Sequence, residues 1–307
     1  MRTRKVEVLL STYNGEKFVG EQLKSIQSQT SGNVFIKIRD DGSTDRTVDI
    51  VRGYCLNNDN IEIREDKNVG VVGSFLDLLY STNIDSEFVA FSDQDDVWHN
   101  NKLEVAISQL AMIETGTPAM YCCRTRLVDE NLNFIGYGNG LSKPAGLENA
   151  ILQNIATGCT IVLNRSAVDI LIKNFVNYDK VIMHDWWIYL VVSCFGEVIF
   201  DDDAYIDYRQ HSNNVVGHRK GLVLWLQRLK RVFNRDKRRL ITQIEEFFRL
   251  YGSELSGEKR ELCLGFLNEG GSSNVFSRLR YASKAPIYRQ STVDDLIARI
   301  LLVIGVR

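Results

Sequence analysis

From Glu7 to Ser92, apolar residues gather into short runs separated by longer stretches in which they recur every three or four positions. The runs Glu7–Ser11, Phe35–Arg39, Ile61–Glu65 and Phe88–Ser92 have strand length and are rich in β-branched and aromatic residues. Between them, Phe18–Gln29, Thr44–Asn57 and Val72–Ser81 have helical spacing. This alternation predicts parallel βαβ units. The second helix is announced by Gly42-Ser43-Thr44-Asp45, which brings capping hydroxyls and a first-turn acid. Further on, Lys102–Glu114 predicts a helix. Ala119–Leu127 and Phe134–Tyr137 predict an antiparallel pair around Asp129-Glu130-Asn131. Helices are expected at Leu147–Ile155 and Ala167–Phe175, with a strand at Cys159–Leu163 between them and another at Glu197–Tyr208. Past Gly217 the pattern is helical to the end. The expected class is therefore α/β, a mixed sheet flanked by helices over residues 1–217, with a helical region over 218–307.

Composition narrows this picture without redirecting it. With 307 residues, 44% hydrophobic and 25% charged, the chain is an ordinary globular protein with a sizeable core. A net charge of −2 excludes a globally basic nucleic-acid binder, so no nucleic-acid partner is expected. The six cysteines show no CxxC spacing and mostly sit in apolar runs, as buried reduced thiols do. The basic start Met1-Arg2-Thr3-Arg4-Lys5 leads only into a strand-length apolar run, and no stretch reaches the roughly 18 apolar residues of a membrane span. The expectation is a cytoplasmic chain that can meet a membrane peripherally, at its inner face.

Candidate chemistry lies at the strand ends. Three of the first four strands run into polar clusters: Ser11-Thr12-Tyr13-Asn14, Asp40-Asp41-Gly42-Ser43 and Asp93-Gln94-Asp95-Asp96. Open α/β sheets bind ligands at the carboxyl ends of their strands, so the clusters read as one site. Three carboxylates within Asp93–Asp96 repel one another unless something compensates them. A divalent cation does so: Mg²⁺ is typically shared between one or two carboxylates and substrate phosphates.

In order and spacing, Ser11-Thr12-Tyr13-Asn14-Gly15, Asp40-Asp41-Gly42-Ser43-Thr44-Asp45 and Asp93-Gln94-Asp95-Asp96 resemble the inverting nucleotide-sugar glycosyltransferases of family 2, which have the GT-A fold. The likeness covers about residues 5–217. Asp93-Gln94-Asp95-Asp96-Val97-Trp98, with His184-Asp185-Trp186 and Tyr208-Arg209-Gln210-His211, is most similar to the rhamnosyltransferase type that builds bacterial surface polysaccharides. The resemblance implies a nucleotide pocket from Thr12, Tyr13, Asn14, Glu16, Asp93 and Gln94. It also implies a pyrimidine-binding acid that is either Asp40 or Asp41. Mn²⁺ or Mg²⁺ is implied on Asp95 or Asp96, with His211 as a further ligand. The diphosphate leaves with that cation as Lewis acid.

An inverting transfer needs a base for the acceptor hydroxyl. The family uses an Asp at a helix start, often in a Glu-Asp pair. Here the pair is His184-Asp185, which keeps the base, Asp185, and departs at its neighbour. Asp185 equally suits an N-cap. Thr157-Gly158-Cys159-Thr160 resembles the segment beneath donor sugar and acceptor, where Gly158 permits close approach. Trp186 or Trp187 offers a stacking face, the other belonging to the core.

The implied activity is transfer of a sugar, L-rhamnose first, from a dTDP- or UDP-donor to a hydroxyl of a growing, lipid-linked saccharide. Another hexose or N-acetylhexosamine from UDP is the alternative within the class. A phosphatase or nucleotidyltransferase would also use clustered acids, but no acid directly follows the first strand and no GxxxxGK[ST] or GxGxxG loop is present. A nucleotide- or sugar-binding module without activity is argued against by the base candidate beside the acids. In the last third, Leu222, Trp225, Leu226, Leu229 and Phe233 form an apolar stripe beside Arg228, Lys230, Arg231 and Arg235. Such a helix either lies on a membrane surface or packs on its own protein. The final segment, Leu296–Val306, either docks on the chain or forms an oligomer contact such as a homodimer.

Overall fold

The computed structural model describes residues 4–210 and 237–304. His211 and the basic amphipathic stretch from Leu222 to Arg235 lie outside the described residues.

The first half alternates strand and helix. β1 (Lys5–Thr12), β2 (Asn33–Asp40), β3 (Ile61–Glu65) and β4 (Phe88–Ser92) are interleaved with α1 (Val19–Gln27), α2 (Thr47–Cys55) and α3 (Gly70–Tyr80). The strands run parallel in the order β3-β2-β1-β4. β1 and β4 are buried along almost their whole length, as expected for strands covered on both faces. α1 buries Val19, Gln22, Leu23 and Ile26, one stripe at helical spacing. α2 begins at Thr47, later than expected, and Asp45 still serves its amino end by accepting from the Thr47 N–H at 3.0 Å. The amino end of α3 is capped from a distance: Asp41 accepts from the Val69 N–H at 2.8 Å and the Gly70 N–H at 2.9 Å.

Beyond β4 the nine-stranded sheet turns mixed. After the two-residue β5 (Val97–Trp98) come α4 (Lys102–Leu110), β6 (Ala119–Val128) and β7 (Phe134–Tyr137). A single turn of helix, α5 (Leu147–Ala150), precedes β8 (Val162–Asn164), α6 (Arg165–Ile172), α7 (His184–Phe195) and the long β9 (Glu197–Arg209). The order continues β4-β8-β6-β9-β5, with β7 antiparallel to β6. Three differences from expectation have local causes. β5 is too short to carry a pattern. The strand expected from Cys159 starts at Val162, because Gly158–Thr160 form a 3-10 turn. The helix expected over Leu147–Ile155 stops at Ala150, and Asn149 directs its amide to the Tyr288 carbonyl at 3.1 Å.

The chain forms two compact units, of which the first comprises the described residues of 1–140, 156–173 and 183–217. This unit holds the whole sheet. The second gathers 141–155 and 174–182 with the C-terminal helices Lys237–Tyr251, Gly257–Gly265, Val275–Lys284 and Thr292–Ile304. Within it the buried Glu246 accepts from the Asn177 N–H at 3.1 Å and Lys180 Nζ at 3.0 Å. Its hydrogen bond from Arg249 leads in holding the carboxyl down at about 2. No helix among the described residues is long and apolar enough to cross a membrane. All six cysteines are free, and all but Cys55 are buried.

Candidate active site at the carboxyl ends of the parallel strands

Parallel register brings the polar clusters side by side: Thr12 is level with Asp40, and Leu10 with Ser92. Because β2 lies on one flank of β1 and β4 on the other, the chain switches direction there, where an α/β sheet opens a crevice. Two layers of the site differ in character.

The β1 and β2 loops are laced together. Asp40 accepts from Thr12 Oγ1 (2.8 Å), Ser43 Oγ (2.6 Å), the Ser43 N–H (2.7 Å) and the Gly42 N–H (3.1 Å). Asn14, held at a positive φ of 47, donates its N–H to Ser43 Oγ and accepts from the Thr44 N–H. Glu16 accepts from the Arg46 N–H at 3.0 Å. Asp41 takes Arg39 Nη1 as well as the two N–H groups of α3. A carboxylate has about four lone-pair positions. Asp40 has filled its set, whereas Asp41 Oδ2 has a single partner. Tyr13 stands out of this lattice with its ring half exposed (49%). Gln94 clamps the Tyr13 backbone, accepting from its N–H at 2.8 Å and donating to its carbonyl at 2.9 Å. Gly15 makes room for this clamp, since a Cβ there would come 2.1 Å from Gln94 Oε1.

The acidic loop after β4 is arranged differently. Asp93, Asp96 and Cys159 place one ligand atom each within 4.8 Å of one another. Asp96 is buried (1% exposed) and accepts from the Arg209 N–H at 3.0 Å, while its Oδ2 has no hydrogen-bond partner. Burial first, then the charges of Asp95 and Asp93, push the Asp96 carboxyl far above the carboxylate range. Asp93 is pushed up to about 7 by burial, then by Asp95 and Asp185. Burial also raises the Cys159 thiol, which stays protonated. Asp95 is not in this group of three; its backbone carbonyl accepts from Arg209 Nε at 2.8 Å. The residues fit a hard cation through the carboxylates of Asp93 and Asp96, with the protonated thiol as neighbour rather than ligand.

Asp185 lies in the first turn of α7, whose N-cap is Met183, so the N-cap position considered for Asp185 falls two residues earlier. Its charge is felt by Asp93, which sets it beside the acidic loop. Gly158 packs on the start of this helix: a Cβ there would lie 2.8 Å from His184 Nε2 and 3.7 Å from Asp185 Cβ. His184 is buried, stacks on Phe75 at 4.1 Å between centroids, and has no hydrogen-bond partner on either ring nitrogen. Burial lowers it to about 3, so the imidazole is neutral and a poor base. Trp187 belongs to the core and Trp186 is half-buried.

Two residues that the sequence did not single out support the site. Arg209, buried at the end of β9, holds Asp96 and Asp95 through the bonds above, pairs with Glu21 and covers the Phe18 ring at 4.5 Å. Its signal was its place in the Tyr208–His211 motif. Lys102 is fully buried, its Nζ lies 3.4 Å from the Trp98 ring centroid, and it has no hydrogen-bond partner. Burial lowers it to about 8 against the opposing pull of Cys123, Cys159 and Asp96. Its sequence context is that of any lysine at a helix start.

The family model for glycosyl transferase family 2 matches residues 7–170, and the chain belongs to that family. It is thus a glycosyltransferase with the GT-A fold. The chain is similar to the dTDP-rhamnosyl transferase RfbG of Shigella flexneri, 29% identical over 257 residues that cover 76% of this chain and 83% of that one. It is also similar to UDP-Glc:alpha-D-GlcNAc-diphosphoundecaprenol beta-1,3-glucosyltransferase WfgD of Escherichia coli, 26% identical over 61% of this chain and 69% of that one. Among solved structures, residues 1–349 of TarS from S. aureus with UDP-GlcNAc have a TM-score of 0.55 at 17% identity, covering 97% of this chain and 90% of that one. The mannosyltransferase PcManGT from Pyrobaculum calidifontis with GDP-Man and Mn2+ has a TM-score of 0.56 at 16% identity, covering 92% and 76%. These two likenesses are of fold.

Proposed function

We propose that the chain transfers L-rhamnose from dTDP-rhamnose to a hydroxyl of a growing bacterial surface polysaccharide, with inversion and with a divalent cation. The observation that carries this reading is the pairing of half-buried Asp93 with buried Asp96, which has one oxygen unpartnered, beside Asp185 at the end of the parallel strands. The nucleotide base stacks on the free Tyr13 ring, and Asp41 rather than Asp40 accepts from the pyrimidine N–H, since only Asp41 keeps an open acceptor position. Thr12, Asn14, Glu16 and Gln94 hold that pocket in shape rather than touch the nucleotide. Asp93 and Asp96 hold Mn²⁺ or Mg²⁺, which when bound offsets charge on the departing diphosphate. Asp95 lines the same loop, and His211 is retained as a candidate ligand. Asp185 accepts the proton of the attacking hydroxyl, while Gly158, His184 and Trp186 shape the space for the acceptor.

Similarity to RfbG favours dTDP-rhamnose, and similarity to WfgD supports a lipid-linked acceptor and keeps a UDP-hexose as the second donor. The reading takes residues 1–217 as the catalytic domain, with the helices between Lys237 and Ile304 available for peripheral contact at the inner membrane face or for homodimer formation. The test is release of nucleotide diphosphate from dTDP-rhamnose, UDP-glucose and UDP-N-acetylglucosamine with Mn²⁺, with and without lipid-linked saccharide. Turnover of dTDP-rhamnose that falls about 10²–10⁴-fold in Asp185→Asn, with donor binding retained, is expected. Full turnover in that variant removes Asp185 as base, and no binding of any nucleotide diphosphate removes the whole reading.

A further inference from the structure

A pocket of about 380 Å³ lies between β6, β7 and β9. Successive strand side chains point to opposite faces. Tyr208 is turned toward Cys159 and Asp93, whereas Asp207 meets Arg126 Nη1 at 2.8 Å and His99 Nε2 at 3.0 Å. Arg124, Arg126, Tyr137, Asp202, Asp203 and Tyr205 line the pocket.

Its chemistry is balanced. The Asp207 carboxylate occupies Arg126, and Arg124 directs only Nε inward, to the Gly138 carbonyl at 3.1 Å, leaving its outer N–H groups open. Asp202 and Asp203 have no side-chain hydrogen bond or ion pair among the described residues. Unpaired donors and acceptors of both signs thus share a cavity with two phenol rings. Tyr137 is exposed (54%), has Arg124 5.3 Å from its centroid, and meets the exposed Phe134 edge-on at 5.1 Å, which extends an aromatic strip from the mouth. The wall is shaped by glycine: a Cβ at Gly140 would sit 2.7 Å from Asp202 Oδ1 and one at Gly138 2.4 Å from Thr125 Oγ1. The near-zero sum of lining charges disfavours phosphate or a polyanion. Carboxylates and a guanidinium beside aromatic faces match the alternating hydroxyls and C–H faces of a sugar ring.

We propose that this pocket is a saccharide-binding subsite that takes a neutral, hydroxyl-rich stretch of the glycan. Lined by none of Asp93, Asp96 and Asp185, it holds a part of the polymer other than the reacting hydroxyl. The proposal rests on the transferase reading for its biological sense but not for its test. The full chain is titrated with a linear trirhamnoside, a linear triglucoside, chitotriose, inorganic phosphate and glucuronate, with dTDP and UDP binding measured separately in the same protein. At least one neutral trisaccharide is expected to bind. Its affinity should fall about fivefold or more in Tyr137→Ala and in Asp202→Asn, both exposed positions, while nucleotide binding is unchanged. No trisaccharide binding at 10 mM (a concentration of about that order saturates weak sugar sites), equal binding in both variants, or a preference for phosphate or glucuronate would overturn it. Loss of nucleotide binding alone would count against the donor site and leave this pocket standing.

Discussion

The β2 and β4 loops both end strands of one parallel sheet and both are rich in aspartate, yet their carboxylates are in opposite situations. Asp40, Asp41 and Asp45 are tied to backbone N–H groups, hydroxyls and an arginine. At Asp45 burial pushes the carboxyl up, but hydrogen bonds from Thr47 and Glu16 outweigh it and hold it below the ordinary range. At Asp93 and Asp96 burial acts with two like charges close by and few donors to oppose them, and both carboxyls rise. The same side chain is therefore fully fastened at Asp40 and short of partners at Asp96. Partner count, rather than residue type, separates the roles.

The largest test of this contrast is activity. Asp96→Asn should lower transfer about 10²–10³-fold, because it weakens the hold on the cation that would offset charge on the departing diphosphate. Folding stability should be unchanged or higher, since an amide replaces a buried carboxyl with an unpartnered oxygen. Asp41→Ala should do the reverse at the level of the fold: a loss of about 3 kcal/mol in denaturant unfolding, through the α3 cap and the Arg39 pair. Equal stability losses in the two variants would erase the distinction.

A third test uses pH. Asp93 titrates at about 7 in the folded chain, against about 4 for a free aspartate. Between those values the folded state holds a proton that the unfolded state has released, so stability falls as pH rises through the window. The melting temperature of metal-free wild type, relative to Asp93→Asn, should drop from pH 4 to pH 7. Added Mn²⁺ should raise the wild-type value more at pH 8 than at pH 5. A flat difference would show that Asp93 is not strained.

The smallest effect concerns Lys102. A cation lowered to about 8 opposes folding at neutral pH, and that cost fades as pH rises from 8 toward the ordinary lysine value. Lys102→Met should gain about 1–2 kcal/mol at pH 7, with the advantage shrinking above pH 8. A loss of stability instead would mean that the acidic loop depends on this charge.

Much of the fold was legible because its signals are local. β3, β4 and β7 begin and end where the pattern places them, and the four parallel strands and three helices of the first half follow from periodicity alone. The short β5 and the turn at Gly158–Thr160 were not legible: two residues carry no period, and the turn follows from how Gly158 packs on His184. Trp187 in the core and Trp186 at its edge are likewise a matter of which face α7 buries.

Taken by itself, the chain's sequence determined which residue types stand at the ends of which strands, since strand and helix periods and turn chemistry act over a few positions. The aspartates at the strand ends could be named on that basis, whereas Tyr13, Gly158 and Asp185 were named through the resemblance to family 2 glycosyltransferases. Only the tertiary structure decided what each carboxylate does. Asp96 takes its hydrogen bond from Arg209, 113 residues away, and Tyr13 is clamped by Gln94, 81 residues away. Burial and hydrogen-bond supply come from such distant partners, and they set whether an acid is neutralised, fastened or left ready for a ligand.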